Sequence, residues 1–92
     1  MKLVVGLGNP GSQYSGTRHN VGFDVVAELV RRWQPGKSQV KFQAEIWEAF
    51  TSSGKVLLAS PMTFMNRSGE AVQQIAGFWQ IASDDVIVAC DD

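Results

Sequence analysis

The sequence predicts a single α/β domain with its elements in the order β-α-β-β-α-β. Three observations predict it. Apolar runs of strand length recur at Leu3–Leu7, Lys55–Ser60 and Val86–Cys90. Two stretches between them carry apolar residues at helical spacing. Glycine, proline, serine and asparagine cluster at the joints between these segments, where chains turn.

The first strand, Leu3–Leu7, breaks into Gly8-Asn9-Pro10-Gly11, and residues 9 to 19 read as a loop. Asn20 suits the cap of a helix in which Phe23, Val26, Ala27, Val30 and Trp33 share a face. Asp24 and Glu28 come early and Arg31 and Arg32 late, the charge order a helix dipole favours, and Pro35-Gly36 ends the segment. From Lys41 to Phe50 the pattern alternates, with Phe42, Ala44, Ile46 and Phe50 on one side and Gln43, Glu45, Trp47 and Ala49 on the other. Thr51-Ser52-Ser53-Gly54 is a hairpin turn into Lys55–Ser60, which Pro61 stops. A second helix spans about Ser68 to Trp79 with Ala71, Val72, Ile75, Ala76 and Trp79 on one face. Ser83-Asp84-Asp85 turns the chain into Val86–Cys90, which is apolar enough to be a central strand.

Composition narrows the function. The 92 residues, 45% hydrophobic and 18% charged, suit one ordinary soluble globule. Eight basic and nine acidic residues leave a net charge of −1, which gives no support from overall charge to nucleic-acid binding. The single cysteine, Cys90, excludes an internal disulfide and fits a reducing compartment. No apolar run approaches the ~20 residues of a membrane span, and the start of the chain lacks the plan of a signal peptide. A cytoplasmic protein without membrane contact is expected.

A strand ending in a tight Gly/Asn/Pro loop presents polar groups at the carboxyl edge of a sheet, where open α/β sheets hold their sites. Gly6, Gly8 and Gly11 satisfy the spacing of a dinucleotide fingerprint. That reading fails on context, because the following helix is delayed to about residue 20 and no acidic residue closes a second strand at the expected distance. His19, the only histidine, is either a surface or capping residue or a general base; a base would need an orienting carboxylate, and Asp91 is the best candidate. Asn66 either caps the second helix or offers its amide to a ligand. Phe64 and Met65 beside it are either core or an apolar wall for a peptide or a base. Cys90 falls on the same side of its strand as Val88 and reads as core.

Taken together, Val5-Gly6-Leu7-Gly8-Asn9-Pro10-Gly11, Tyr14 and Thr17-Arg18-His19-Asn20-Val21-Gly22 resemble the opening of bacterial peptidyl-tRNA hydrolases. Pro61-Met62-Thr63-Phe64-Met65-Asn66-Arg67-Ser68-Gly69 and Val86-Ile87-Val88-Ala89-Cys90-Asp91-Asp92 resemble that family's second and third motifs. The resemblance implies a twisted mixed sheet flanked by helices, with residues 1–92 as the N-terminal half of one domain. It implies a monomer when complete, no metal or other cofactor, and hydrolysis of the ester joining a peptide to the 3′ end of tRNA. His19 would activate water, Asp91 would be its partner, and Asn9 would hold substrate near them. Asn66 would hydrogen-bond the peptide, Met65 would pack beside it, and Tyr14 would contact the terminal nucleotide or aminoacyl group.

The sequence departs from the family at Cys90, where histidine is common, and in spanning only half of such a protein. The missing half would hold a glycine-rich loop with another asparagine, a lid and basic residues for tRNA. The 92 residues alone are therefore expected to be inactive and weakly folded, with Asp91, Asp92 and the terminal carboxylate repelling one another. A non-catalytic relative that binds RNA or a protein partner is the alternative; keeping Asn9, His19, Asn66 and Asp91 together favours the enzyme lineage.

Overall fold

Alternate residues of the first strand serve two cores. In the computed structural model, which describes residues 1–8, 21–62 and 68–89, β1 (Lys2–Gly6) buries Leu3 and Val5 on one side and Val4 on the other. A strand buried on both faces needs a layer above and below. The two helices supply them. From α1 (Val21–Trp33), Val26 packs with Val4 and Leu58; from α2 (Ser68–Phe78), Ile75 packs with Leu3, Val5 and Leu57.

The remaining strands are β2 (Gln39–Lys41), β3 (Ala44–Thr51), β4 (Gly54–Pro61) and β5 (Val86–Ala89). The sheet order is β2-β3-β4-β1-β5. β1 runs parallel to both neighbours, with Leu3 opposite Leu57 and Val86, while β3 runs antiparallel to β2 and β4. The result is a five-stranded mixed sheet between two helices.

Two expectations change. The segment expected as one strand, Lys41–Phe50, is two: Phe42 and Gln43 turn tightly at φ 57° and 59°, and Lys41 folds back against Ala44. The alternation beyond the turn holds, since Ala44 and Ile46 enter the α2-side core and Ala49 the α1-side core. Phe50 keeps its side but lies past the cover of α2 and is 76% exposed. The last strand, expected to be central, stands at the edge of the sheet formed by the described residues. Its apolar side chains report a need for cover on both faces, and that need does not by itself fix a place in the strand order.

Candidate active site

Parallel strands end at the same edge, so β1, β4 and β5 all deliver the chain to one side of the sheet. One further bond extends the β1–β5 pairing there: the Leu7 N–H donates to the Ala89 carbonyl at 2.8 Å. At the exit of β4, the Met62 N–H donates to the Gln43 carbonyl at 2.8 Å and ties that exit to the β2–β3 turn.

The start of α1 is pressed into this edge. A Cβ on Gly22 would lie 2.2 Å from the Leu7 carbonyl oxygen and 2.3 Å from that of Ala89. A Cβ on Gly6 would lie 2.1 Å from the Gly22 carbonyl oxygen. Only glycine at both positions lets helix and strand backbones approach this closely. Gly6 therefore serves helix–strand packing against the start of α1, and Gly11 of the dinucleotide spacing lies outside the described residues.

α2 starts at the same edge. Ser68, fully buried at its first turn, lines a groove with Leu7, Val72 and Val88. On the opposite face a cavity of about 440 Å³ opens between α1 and the sheet, lined by Phe23, Val30, Trp47 and Met62. Glu45 also lines it and accepts a 2.6 Å hydrogen bond from the Ser38 hydroxyl.

The candidate residues themselves, Asn9, Tyr14, His19, Met65, Asn66 and Asp91, lie outside the described residues, as do Asn20 and Cys90. What is described is the ground on which their segments stand. Residues 9–20 run between Gly8 and Val21, residues 63–67 between Met62 and Ser68, and residues 90–92 follow Ala89. Each of those flanking points belongs to the carboxyl edge of the parallel strands or to a helix start set against it. Sequence reasoning assigned no role to Gly22. Its signal was a glycine in the first turn of an otherwise good helix, a poor choice unless another backbone must come close. Among the described residues no three His, Cys, Asp or Glu side chains gather to hold a metal ion, and no helix is long and apolar enough to cross a membrane.

A family model described as peptidyl-tRNA hydrolase matches residues 3–92. A peptidyl-tRNA hydrolase of Geobacillus kaustophilus is 51% identical over 92 residues, all of this chain and 50% of that protein. One of Rhodopirellula baltica is 48% identical over the same 92 residues, 48% of its own length. A crystal structure of peptidyl-tRNA hydrolase from Acinetobacter baumannii superposes with a TM-score of 0.87 at 38% identity, covering 100% of this chain and 47% of that one. The chain thus spans about half the length of the curated relatives it matches.

Proposed function

This chain belongs to the peptidyl-tRNA hydrolase family, and from that premise we propose that it carries the hydrolytic centre for the ester joining a peptide to the 3′ end of tRNA. One observation carries the reading: the segments holding all six candidate residues leave from, or return to, the single edge where β1, β4 and β5 end. The packing of Gly22 against Leu7 and Ala89 supports the pairing of His19 with Asp91, because it joins the chain just after His19 to the chain just before Asp91.

The chemistry follows from the residue types. Neutral His19 takes a proton from water as its oxygen attacks the ester carbonyl, with Asp91 orienting the imidazole and stabilising its charged form. Asn9 donates to the oxyanion of the tetrahedral intermediate. Collapse breaks the bond to the ribose oxygen, which leaves with the proton held on His19; the products are a peptide with a free carboxyl group and tRNA with a free terminal hydroxyl. The Asn66 amide holds a peptide carbonyl, Met65 packs beside it, and Tyr14 meets the terminal nucleotide or aminoacyl group. The complete protein works as a monomer, without a metal, in the cytoplasm.

The test uses this chain fused after Asp92 to the second half of the Geobacillus kaustophilus relative. His19→Ala should lower peptidyl-tRNA turnover by about 10²–10⁴-fold with binding nearly unchanged. Asn66→Asp keeps a capping oxygen and loses the amide donor, so activity should fall while the melting temperature holds. Undiminished turnover in His19→Ala, or loss of parent activity with EDTA, would refute the mechanism.

A further inference from the structure

The start of α1 meets the sheet through main chain and not through side chains. A Cβ on Gly22 would stand 2.2 Å from the Leu7 carbonyl oxygen, 2.4 Å from the Leu7 nitrogen and 2.3 Å from the Ala89 carbonyl oxygen. From the strand side, a Cβ on Gly6 would stand 2.1 Å from the Gly22 carbonyl oxygen. Leu7 and Ala89 are themselves tied by the 2.8 Å bond from the Leu7 N–H to the Ala89 carbonyl. Three stretches of chain are thus locked at one point. Attachment of the helix does not require this, because Val26 already holds α1 to Val4 and Leu58 by apolar packing.

The chain leads from this junction to three of the proposed working residues. Asn9 is two residues after Leu7, His19 three before Gly22 and Asp91 two after Ala89. At most ~3.6 Å of chain per residue keeps each within about 11 Å of its own anchor. His19 is reached from the helix side of the contact, whereas Asn9 and Asp91 are reached from the sheet side. Real Cβ atoms do not approach within 3.0 Å, so alanine at position 22 would need about 0.8 Å of withdrawal between the two sides. Such a withdrawal parts His19 from Asp91 and from Asn9 together, and misplacement by about 1 Å costs about 10²-fold in rate.

We propose that Gly22 is a positioning residue for the hydrolysis: by admitting no side chain, it sets the distance of His19 from Asp91 and Asn9. The proposal rests on the reading of His19 as the base and Asp91 as its partner.

The experiment uses the fusion to the second half of the Geobacillus kaustophilus relative, in a Gly77→Ala, Gln80→Gly background. Both changes in and after α2 favour the folded state, since Gly77 has open space at its Cβ and Gln80 sits at φ 57°. Gly22→Ala should lower kcat for a peptidyl-tRNA by about 10²-fold with KM nearly unchanged, turnover being counted per folded molecule from circular dichroism. Ile75→Val, which trims the α2-side core away from the junction, should lower the melting temperature and keep kcat. A positioning role gives a further signature: Gly22→Ala added to His19→Ala should cause no further loss, because the group it positions is gone. Gly6→Ala, which presses on the Gly22 carbonyl from the strand, provides the same readings if Gly22→Ala does not fold. Full turnover in His19→Ala would refute the base and not the junction. An impaired His19→Ala together with an unchanged kcat in Gly22→Ala, or with an equal further loss when the two are combined, would overturn the positioning role alone. Loss of folding in both glycine variants would assign these glycines to the fold and overturn it as well.

Discussion

Gly22 sits where three backbones meet, and its missing side chain is what lets them. An added methyl would fall within 2.3 Å of two carbonyl oxygens, neither of which can rotate away. Gly22→Ala should therefore lower stability by about 1–3 kcal/mol, the usual cost of overpacking, seen as a lower melting temperature. Gly77, in the last turns of α2, is the counter-case: nothing lies within 4 Å of its would-be Cβ. Gly77→Ala should raise stability by about 0.5–1 kcal/mol through helix propensity alone. A different residue-scale effect is electrostatic. Hydrogen bonds from Arg31 and from Arg32, the latter at 2.8 Å, hold the Glu28 carboxyl at about 2, below its ordinary 4.5. A lowered folded-state pKa means that the contribution is present above pH 4.5 and disappears as pH falls towards 2. The melting-temperature gap between the parent chain and Glu28→Gln should thus be small at neutral pH, because the group is exposed, and close by pH 2.

The ends of elements show where local pattern was informative and where it was silent. Pro35-Gly36 marked the end of α1, and Ser52-Ser53 form the two-residue turn that brings Thr51 opposite Gly54. The end of α2 carries no such mark. Gln80 adopts φ 57° there, and the Ile81 N–H reaches back to the Ala76 carbonyl at 2.8 Å, the closing bond of a glycine-type cap. Gln80→Gly should raise the melting temperature, corresponding to about 0.5–1 kcal/mol, because glycine takes the left-handed conformation without steric cost. The same silence hid the β2–β3 turn. Two-residue turns with both φ positive favour Asn-Gly or Asp-Gly, whereas Phe42-Gln43 is a pair that a strand also accepts. Phe42 earns its place through packing, edge-on to Phe78 and against the α2-side core. Such a contact spans the chain and leaves no trace in a local window.

For the molecule as a whole, the alternation of strands and helices was legible because each element carries its own period, while strand order was not. The apolar run Val86–Ala89 says that both faces of its strand want cover, and only the assembled sheet reveals that, among the described residues, β1 is its one neighbour. The candidate site was legible as polar residues following strands. Its foundation was not, because the approach of Gly22 to Leu7 and Ala89 joins points far apart in sequence. With a net charge of −1, the 92-residue chain should hold tRNA weakly, with a shallower dependence of log K on log salt than its fusion to the second half of a relative. It should show no peptidyl-tRNA cleavage alone. Filter binding across a salt series and a single-turnover cleavage assay check both expectations.

The interior position of β1, between β4 and β5, has a consequence in time. It is synthesised before both of its neighbours in the sheet, and Leu3 pairs with Leu57 and then with Val86. At about 5–20 residues per second, making the chain from Leu3 to Val86 takes roughly 4–17 seconds. Through that interval β1 is an apolar segment without its second partner, and α1 precedes most of the surface on which it lands. Long-range pairings of this kind also close slowly once the chain is complete. A nascent chain stalled before Val86 emerges should therefore expose Leu3, Val4 and Val5 to chaperones, and one stalled after Ala89 has emerged should release them.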